Sequence, residues 1–185
     1  MLKAAFYHIY NIRQIRKYLN KESTERMVHV FITNKLDYCN SLMYGLPNSQ
    51  TQKLQRVQNA AAKIISGART YEHVTPSLRE LHWLPVKKRI EFKVLLSTVK
   101  ALNDMAPEYL KDMLNIQRGR YTLRSTESIM LMIPRTKFKT RGNRSFAAAA
   151  PKLWNKLPVQ VRRSQDIQTF KSRLKTHLII TAFNQ

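Results

Sequence analysis

A mainly α-helical fold is what this sequence predicts: a bundle of about five to six helices, then a basic, partly extended C-terminal subdomain that ends in a helix. Three observations carry it. Apolar residues recur at helical spacing through residues 1–115. Glycine is scarce, four in 185 residues, which argues against a turn-rich β-sandwich and against a Gly-rich phosphate loop. From 117 to 144 the helical period lapses, and a short apolar run, Ile129 to Ile133, leads through Pro134 into the alternation Lys137, Phe138, Lys139. That stretch reads as a short β-hairpin or an extended arm, with Pro134 at an edge or turn.

The first helix carries Phe6, Ile9, Ile12 and Leu19 among Lys3, Arg13, Arg16, Lys17 and Lys21, with no acid in residues 1–21. A mitochondrial presequence has this composition too, but a stripe this broad suits a helix that faces a core. Asn20 or Ser23 can cap a second helix, whose Val28, Phe31, Ile32, Leu36, Cys39 and Met43 share a face, with Gly45 and Pro47 as its stop. Ser49 with Gln52 makes a capping-box pattern for a third helix, with Leu54, Val57, Ala61, Ile64 and Ile65 inward and Gly67 at its end. Thr75 and Pro76 open a short helix through Leu81 as cap and first helical position. Pro85 opens the longest one, striped by Phe92, Leu95, Leu96, Val99 and Leu102 and widened by Ile90 and Val94. A short helix over 107–114 closes this half. Helix returns over 145–155 and again from 164 to about 180, where Ile167, Phe170, Leu174 and Leu178 face inward and Lys171 and Lys175 outward. Two regions follow: a helical one over 1–115 and a basic one over 116–185.

Charge points to the partner. There are 33 Lys and Arg against 11 Asp and Glu, a formal net charge of +22. Such an excess opposes compaction by self-repulsion and suits a polyanionic ligand. Its distribution is uneven: after Asp112 only Glu127 and Asp166 are acidic, while fifteen residues from Arg118 to Lys175 are Lys or Arg. The second region thus has the character of a surface for the phosphates of RNA or DNA. The single cysteine, Cys39, permits no internal disulfide and no cysteine-based zinc site, and it suits a reducing, intracellular compartment, nucleus or cytoplasm. No apolar stretch reaches the length of a membrane span.

Four strings, LDYCNSLMYGLP (36–47), LQRVQNAAAKIISG (54–67), LHWLPVKKRIEFKVLLSTVKALN (81–103) and SFAAAAPKLWNKLP (145–158), stand in order along the chain, and TFKSRLKTHLI (169–179) follows them. Together they resemble the C-terminal region, from around the thumb onward, of the reverse transcriptase of LINE-type, non-LTR retrotransposons of the jockey and chicken-repeat clades. The resemblance covers essentially the whole chain. It implies a thumb-like or post-reverse-transcriptase region that grips RNA template and target DNA within an RNA-directed DNA polymerase. Polymerisation in that family rests on a Tyr-x-Asp-Asp motif and a further aspartate holding magnesium. Here Asp37, Asp104, Asp112 and Asp166 are isolated, and no acidic or histidine constellation matches a nuclease. Relatives that end in a zinc knuckle need cysteines this chain lacks. The expectation is a non-catalytic region with no metal, cofactor or small-molecule substrate, binding RNA or DNA through phosphates, alone or alongside the remainder of a reverse transcriptase. The alternative is a purely structural part of that longer polymerase, with no binding function of its own.

The expected nucleic-acid contacts are Arg118, Arg120 and Arg124, then Arg135, Lys137, Lys139, Arg141 and Arg144, then Arg162 and Arg163, and Lys171 and Lys175 on the last helix. Phe138 and Phe146 lie between the cations and read better as core than as stacking platforms. Trp83 and Trp154 precede proline turns, where anchoring against the core outweighs base stacking. His73 and His82 lack partners at metal-ligand spacing, and Cys39, on an apolar helix face, reads as a buried, inert thiol.

Overall fold

The computed structural model describes residues 2–69, 71–117, 129–138 and 140–183, and among these helix dominates and no strand forms. The expected contacts Arg118, Arg120, Arg124 and Lys139 lie outside the described residues. The chain divides into two compact units, one of residues 1–89 and 179–185, the other of residues 90–178, so that the boundaries fall within two helices. Charge divides the sequence near 115; contacts divide it elsewhere.

In the first unit, α1 (Leu2–Ile15) buries Ala5, Ile9 and Ile12, and α2 (Lys21–Val28) starts at Asn20, whose Oδ1 accepts a hydrogen bond from Ser23 N at 2.7 Å. From α2 the chain passes through a π-helical stretch (His29–Thr33) into α3 (Asn34–Asp37). The π stretch has a reason in the sequence. Thr24, Val28, Ile32 and Leu36 are all buried and each lies four residues after the last. Steps of four overshoot a 3.6-residue turn by about 40° each. The wider π turn absorbs that drift and keeps the row on one face.

This helix ends earlier than its apolar pattern predicts. Cys39 adopts a left-handed conformation (φ 49°), a 3₁₀ turn (Asn40–Met43) follows, and the thiol is exposed rather than buried. Phe31, also expected inward, is exposed.

The long helix α4 (Asn48–Ser66) packs against α1 and α2 and is stopped by Gly67 at φ 72°. Its expected Ser49–Gln52 capping box does not form: Pro47 is the N-cap, and no side chain caps this end. At the other end Arg16 supplies the cap, donating from Nε to Ile64 O at 3.0 Å and from Nη2 to Ile65 O at 3.5 Å, while its Nη1 donates to Leu19 O at 2.8 Å. Cations belong at that pole of a helix, so this arginine is occupied structurally. α5 (Thr75–Glu80) begins one residue earlier than expected, after Val74. The fully buried Gln58 donates to Leu84 O at 2.8 Å, and Gln55 Oε1 accepts from Val86 N at 2.8 Å, capping α6 (Val86–Leu102) from a neighbouring helix. Arg89 closes the unit, with Nη1 3.0 Å from Asp37 Oδ2, Nε 3.2 Å from Leu84 O, and its guanidinium over the Trp83 ring.

In the second unit the buried residues include Val94, Leu95, Val99, Leu131, Trp154, Phe170, Leu174 and Leu178. α7 (Glu108–Asp112), α8 (Phe146–Asn155), α9 (Val159–Arg162) and α10 (Ile167–Phe183) complete the helices. The alanine run is core: Ala148, Ala149 and Ala150 are each buried, which lets backbones approach closely. α6 is closed by Asp104 at φ 56°, with Met105 N donating to Lys100 O at 2.8 Å, a turn usually given to glycine.

Of the residues 129–139 read as a hairpin or an arm, the described ones, 129–138, form no strand. They are irregular apart from an isolated antiparallel bridge between Ile116 and Leu131. Side chains take the backbone groups a second strand would need. Asn155 accepts from Leu131 N at 3.0 Å and donates to Leu131 O at 2.8 Å, and Trp154 Nε1 donates to Ile129 O at 2.9 Å.

Candidate nucleic-acid interface

The described residues of 135–144 form a hydrogen-bonded loop leading into α8. Gly142 N donates to Phe138 O at 3.0 Å, and Ser145 Oγ donates to Gly142 O at 2.7 Å at the start of the helix. Asn143 Oδ1 accepts from Thr136 Oγ1 at 3.1 Å and from Lys152 Nζ, in the second turn of α8, at 2.6 Å. Gly142 is required by packing rather than by its backbone angle: a Cβ there would sit 2.7 Å from Thr136 Cβ. Gly142→Ala is therefore expected to cost about 1–3 kcal/mol by forcing Thr136 away. Adding Thr136→Gly makes room for the methyl group. In urea denaturation Gly142→Ala should cost less in the Thr136→Gly background than in the unaltered chain, a comparison that cancels the lost Thr136–Asn143 bond; an equal cost in both backgrounds would show that the contact is not limiting.

This loop brings together Arg135, Lys137, Arg141 and Arg144. All four side chains are exposed, and none forms an ion pair with a described residue. Phe138 lies among them at 71% exposure, so it is not the core residue its sequence context suggests. Phe146, at the start of α8, is half-buried. The signal for Phe138 lay in the alternation Lys137, Phe138, Lys139 outside any regular element. Lys152, also missed, holds the loop through Asn143.

The remaining expected contacts divide by role. Arg162 is half-buried and structural: Nε donates to Leu157 O at 3.2 Å and Nη1 to Ile129 O at 3.3 Å, tying the 129–133 segment to the turn after α8. Arg163 is exposed at the end of α9. Lys171 is half-buried and Lys175 exposed, one turn apart on α10. Sequence reasoning passed over Arg173, whose Nη1 donates to Gln160 O at 2.9 Å.

Two acids of the second unit, Asp166 and Asp104, are spent locally. Asp166 caps α10, accepting from the Thr169 hydroxyl at 2.6 Å and from Thr169 N at 2.7 Å. The hydroxyl first, then the amide, hold its carboxyl below the usual range and keep it ionised at the helix's positive pole. Asp104 is paired with Lys111 at 2.5 Å, a hydrogen bond that raises the lysine's pKa.

Trp83 and Trp154 are both buried, as their turns predict, while His73 and His82 are exposed. Among the described residues no group of three or more His, Cys, Asp or Glu side chains could hold a metal ion. No helix among them is long and apolar enough to cross a membrane. No protein-family model matches the chain, and no curated protein or solved structure is significantly similar to it.

Proposed function

We propose that this chain binds RNA or DNA through phosphate contacts, tolerantly of sequence, and carries no chemistry of its own. It would serve as a C-terminal region of a LINE-type reverse transcriptase, in the nucleus or cytoplasm. The observation that carries this reading is the loop 135–144: four exposed cations, Arg135, Lys137, Arg141 and Arg144, without an ion pair among the described residues, on a backbone fastened by Gly142, Thr136, Asn143 and Lys152. Cations held without acidic partners favour phosphate oxygens, and their contacts position a backbone without reading bases. If about six phosphates of a duplex are neutralised, log K falls with log salt at a slope near −5. Titrating purified protein against duplex DNA and single-stranded RNA from about 0.05 to 0.3 M salt measures it, and a slope near zero rejects the mechanism.

A second reading, a structural part of a longer RNA-directed DNA polymerase, is favoured by one observation. Met105, Tyr109, Met113, Ile116, Met132 and Ile133 in the second unit are exposed apolar side chains of the kind a neighbouring domain would cover. Failure to bind either nucleic acid even at low salt would favour it, as would a Tyr-x-Asp-Asp reading frame directly upstream in the genome.

A further inference from the structure

α1 has two faces, and only one is used by the fold. Ala5, Ile9 and Ile12 are buried, so the helix already has its core contact. The opposite face carries Lys3, Tyr7, Tyr10 and Gln14, spaced three and four residues apart, which makes them one outward row. Tyr7 and Tyr10 are 63% and 61% exposed, and Tyr18, beyond the helix end, is 77% exposed with Lys17 Nζ 4.8 Å from its ring centre. Phe6 and Arg13 flank the row, and both are exposed. Phe6 therefore departs from the core position its apolar stripe predicts.

We propose that this face is a second contact surface, a stacking platform for the unpaired bases of single-stranded nucleic acid. It rests on the nucleic-acid reading above and adds a preference for single strands that the basic loop does not supply. Tyrosine rings standing clear of a helix offer flat faces to any base, and the interspersed cations can meet the phosphates between successive nucleotides. Charge complementarity identifies the occupant: Lys3, Arg13 and Lys17 are exposed, and no acid occurs in residues 1–21. An anionic lipid surface would share that charge, but it calls for an outward face of Leu, Ile or Trp that inserts. Here the aliphatic residues Ile9 and Ile12 point inward, Ile15 is exposed but lies off the row, and the row itself is tyrosine, glutamine and lysine. A duplex, its bases stacked internally, leaves such rings nothing to cover.

The test compares the full chain with Tyr7→Ala/Tyr10→Ala and with Tyr7→Phe/Tyr10→Phe, each checked for helix content by circular dichroism. The probes are a labelled uridine oligonucleotide, a duplex DNA of equal length, and vesicles of phosphatidylcholine with phosphatidylserine. The alanine variant is expected to bind the oligonucleotide about tenfold or more weakly while duplex affinity changes less than about twofold, and the phenylalanine variant to keep both affinities. Unchanged oligonucleotide affinity in the alanine variant overturns the platform and leaves the basic-loop reading intact. Equal losses on both nucleic acids overturn the single-strand preference. Vesicle binding that disappears in the alanine variant, without loss on the oligonucleotide, assigns the face to lipid instead. Absence of binding to either nucleic acid by the unaltered chain overturns this inference and the function together.

Discussion

Trp154→Ala is expected to destabilise the second unit by about 3–5 kcal/mol, the largest stability effect of any single substitution considered for this chain. The indole is 2% exposed, stacks on Phe170 with ring centres 5.9 Å apart, and donates from Nε1 to Ile129 O at 2.9 Å. Truncation would leave a cavity beside a closely packed alanine helix and remove a tether of the 129–133 segment at once. Typical domains hold only about 5–15 kcal/mol in total, so the loss approaches the whole. Trp154→Phe separates the two contributions. It keeps an aromatic ring against Phe170 and removes the hydrogen bond, while Arg162 Nη1 still reaches Ile129 O at 3.3 Å. The carbonyl keeps a donor, so the bond itself accounts for about 1 kcal/mol, with lost ring volume adding to that. Urea denaturation followed by circular dichroism measures both variants. A loss below about 1 kcal/mol for Trp154→Ala would mean the indole is not an anchor and reopen base stacking.

What the sequence made legible was whatever one helix decides for itself. α4 was readable from Leu54, Val57, Ala61, Ile64 and Ile65 at helical spacing and from Gly67, whose φ of 72° is the conformation that stop needs. α8 and α10 were readable in the same way, through Ser145 and the row Phe170, Leu174, Leu178. Boundaries failed where another element decides them. Gln55 caps α6 from across the first unit, and Arg16 caps α4; neither pairing leaves a local pattern. Cys39 and Met43 continue the apolar stripe of the second helix, which predicts a helix through Met43. The chain turns instead at Cys39, and with only four glycines in the sequence, Cys39, His82 and Asp104 take up left-handed positions.

The candidate site divides the same way. That cations from 135 to 144 would be exposed follows from composition, because an acid-poor stretch has nothing to pair them with. That the loop is fastened does not: it depends on a glycine approaching Thr136 and on Lys152 reaching back to Asn143. Arg162 shows the opposite error. In sequence it is one more cation after a proline turn, yet its donors are spent on main-chain carbonyls. The outward tyrosines of α1 escaped notice because an apolar stripe counted by composition includes Phe6 and ignores tyrosine, while the buried set is Ala5, Ile9 and Ile12.

Replacing Arg135, Lys137, Arg141 and Arg144 together by glutamine is expected to weaken binding to duplex DNA on the order of a hundredfold at about 0.1 M salt. The salt slope should fall in magnitude by about 3–4, close to one for each phosphate contact removed. Because phosphate contacts carry no base identity, the loss should be the same for unrelated sequences. Fold stability should barely change, since exposed residues away from special packing contribute within about 0.5 kcal/mol, and removing like charges relieves self-repulsion. Arg26→Gln is the control: that arginine is also exposed but pairs with Glu22 at 2.6 Å, so its loss should leave duplex affinity nearly unchanged. A fourfold variant with unaltered affinity would move the interface off this loop, and a loss confined to one sequence would mean the loop reads bases. If affinity falls and the slope does not, the cations act by shaping the loop rather than by displacing counterions.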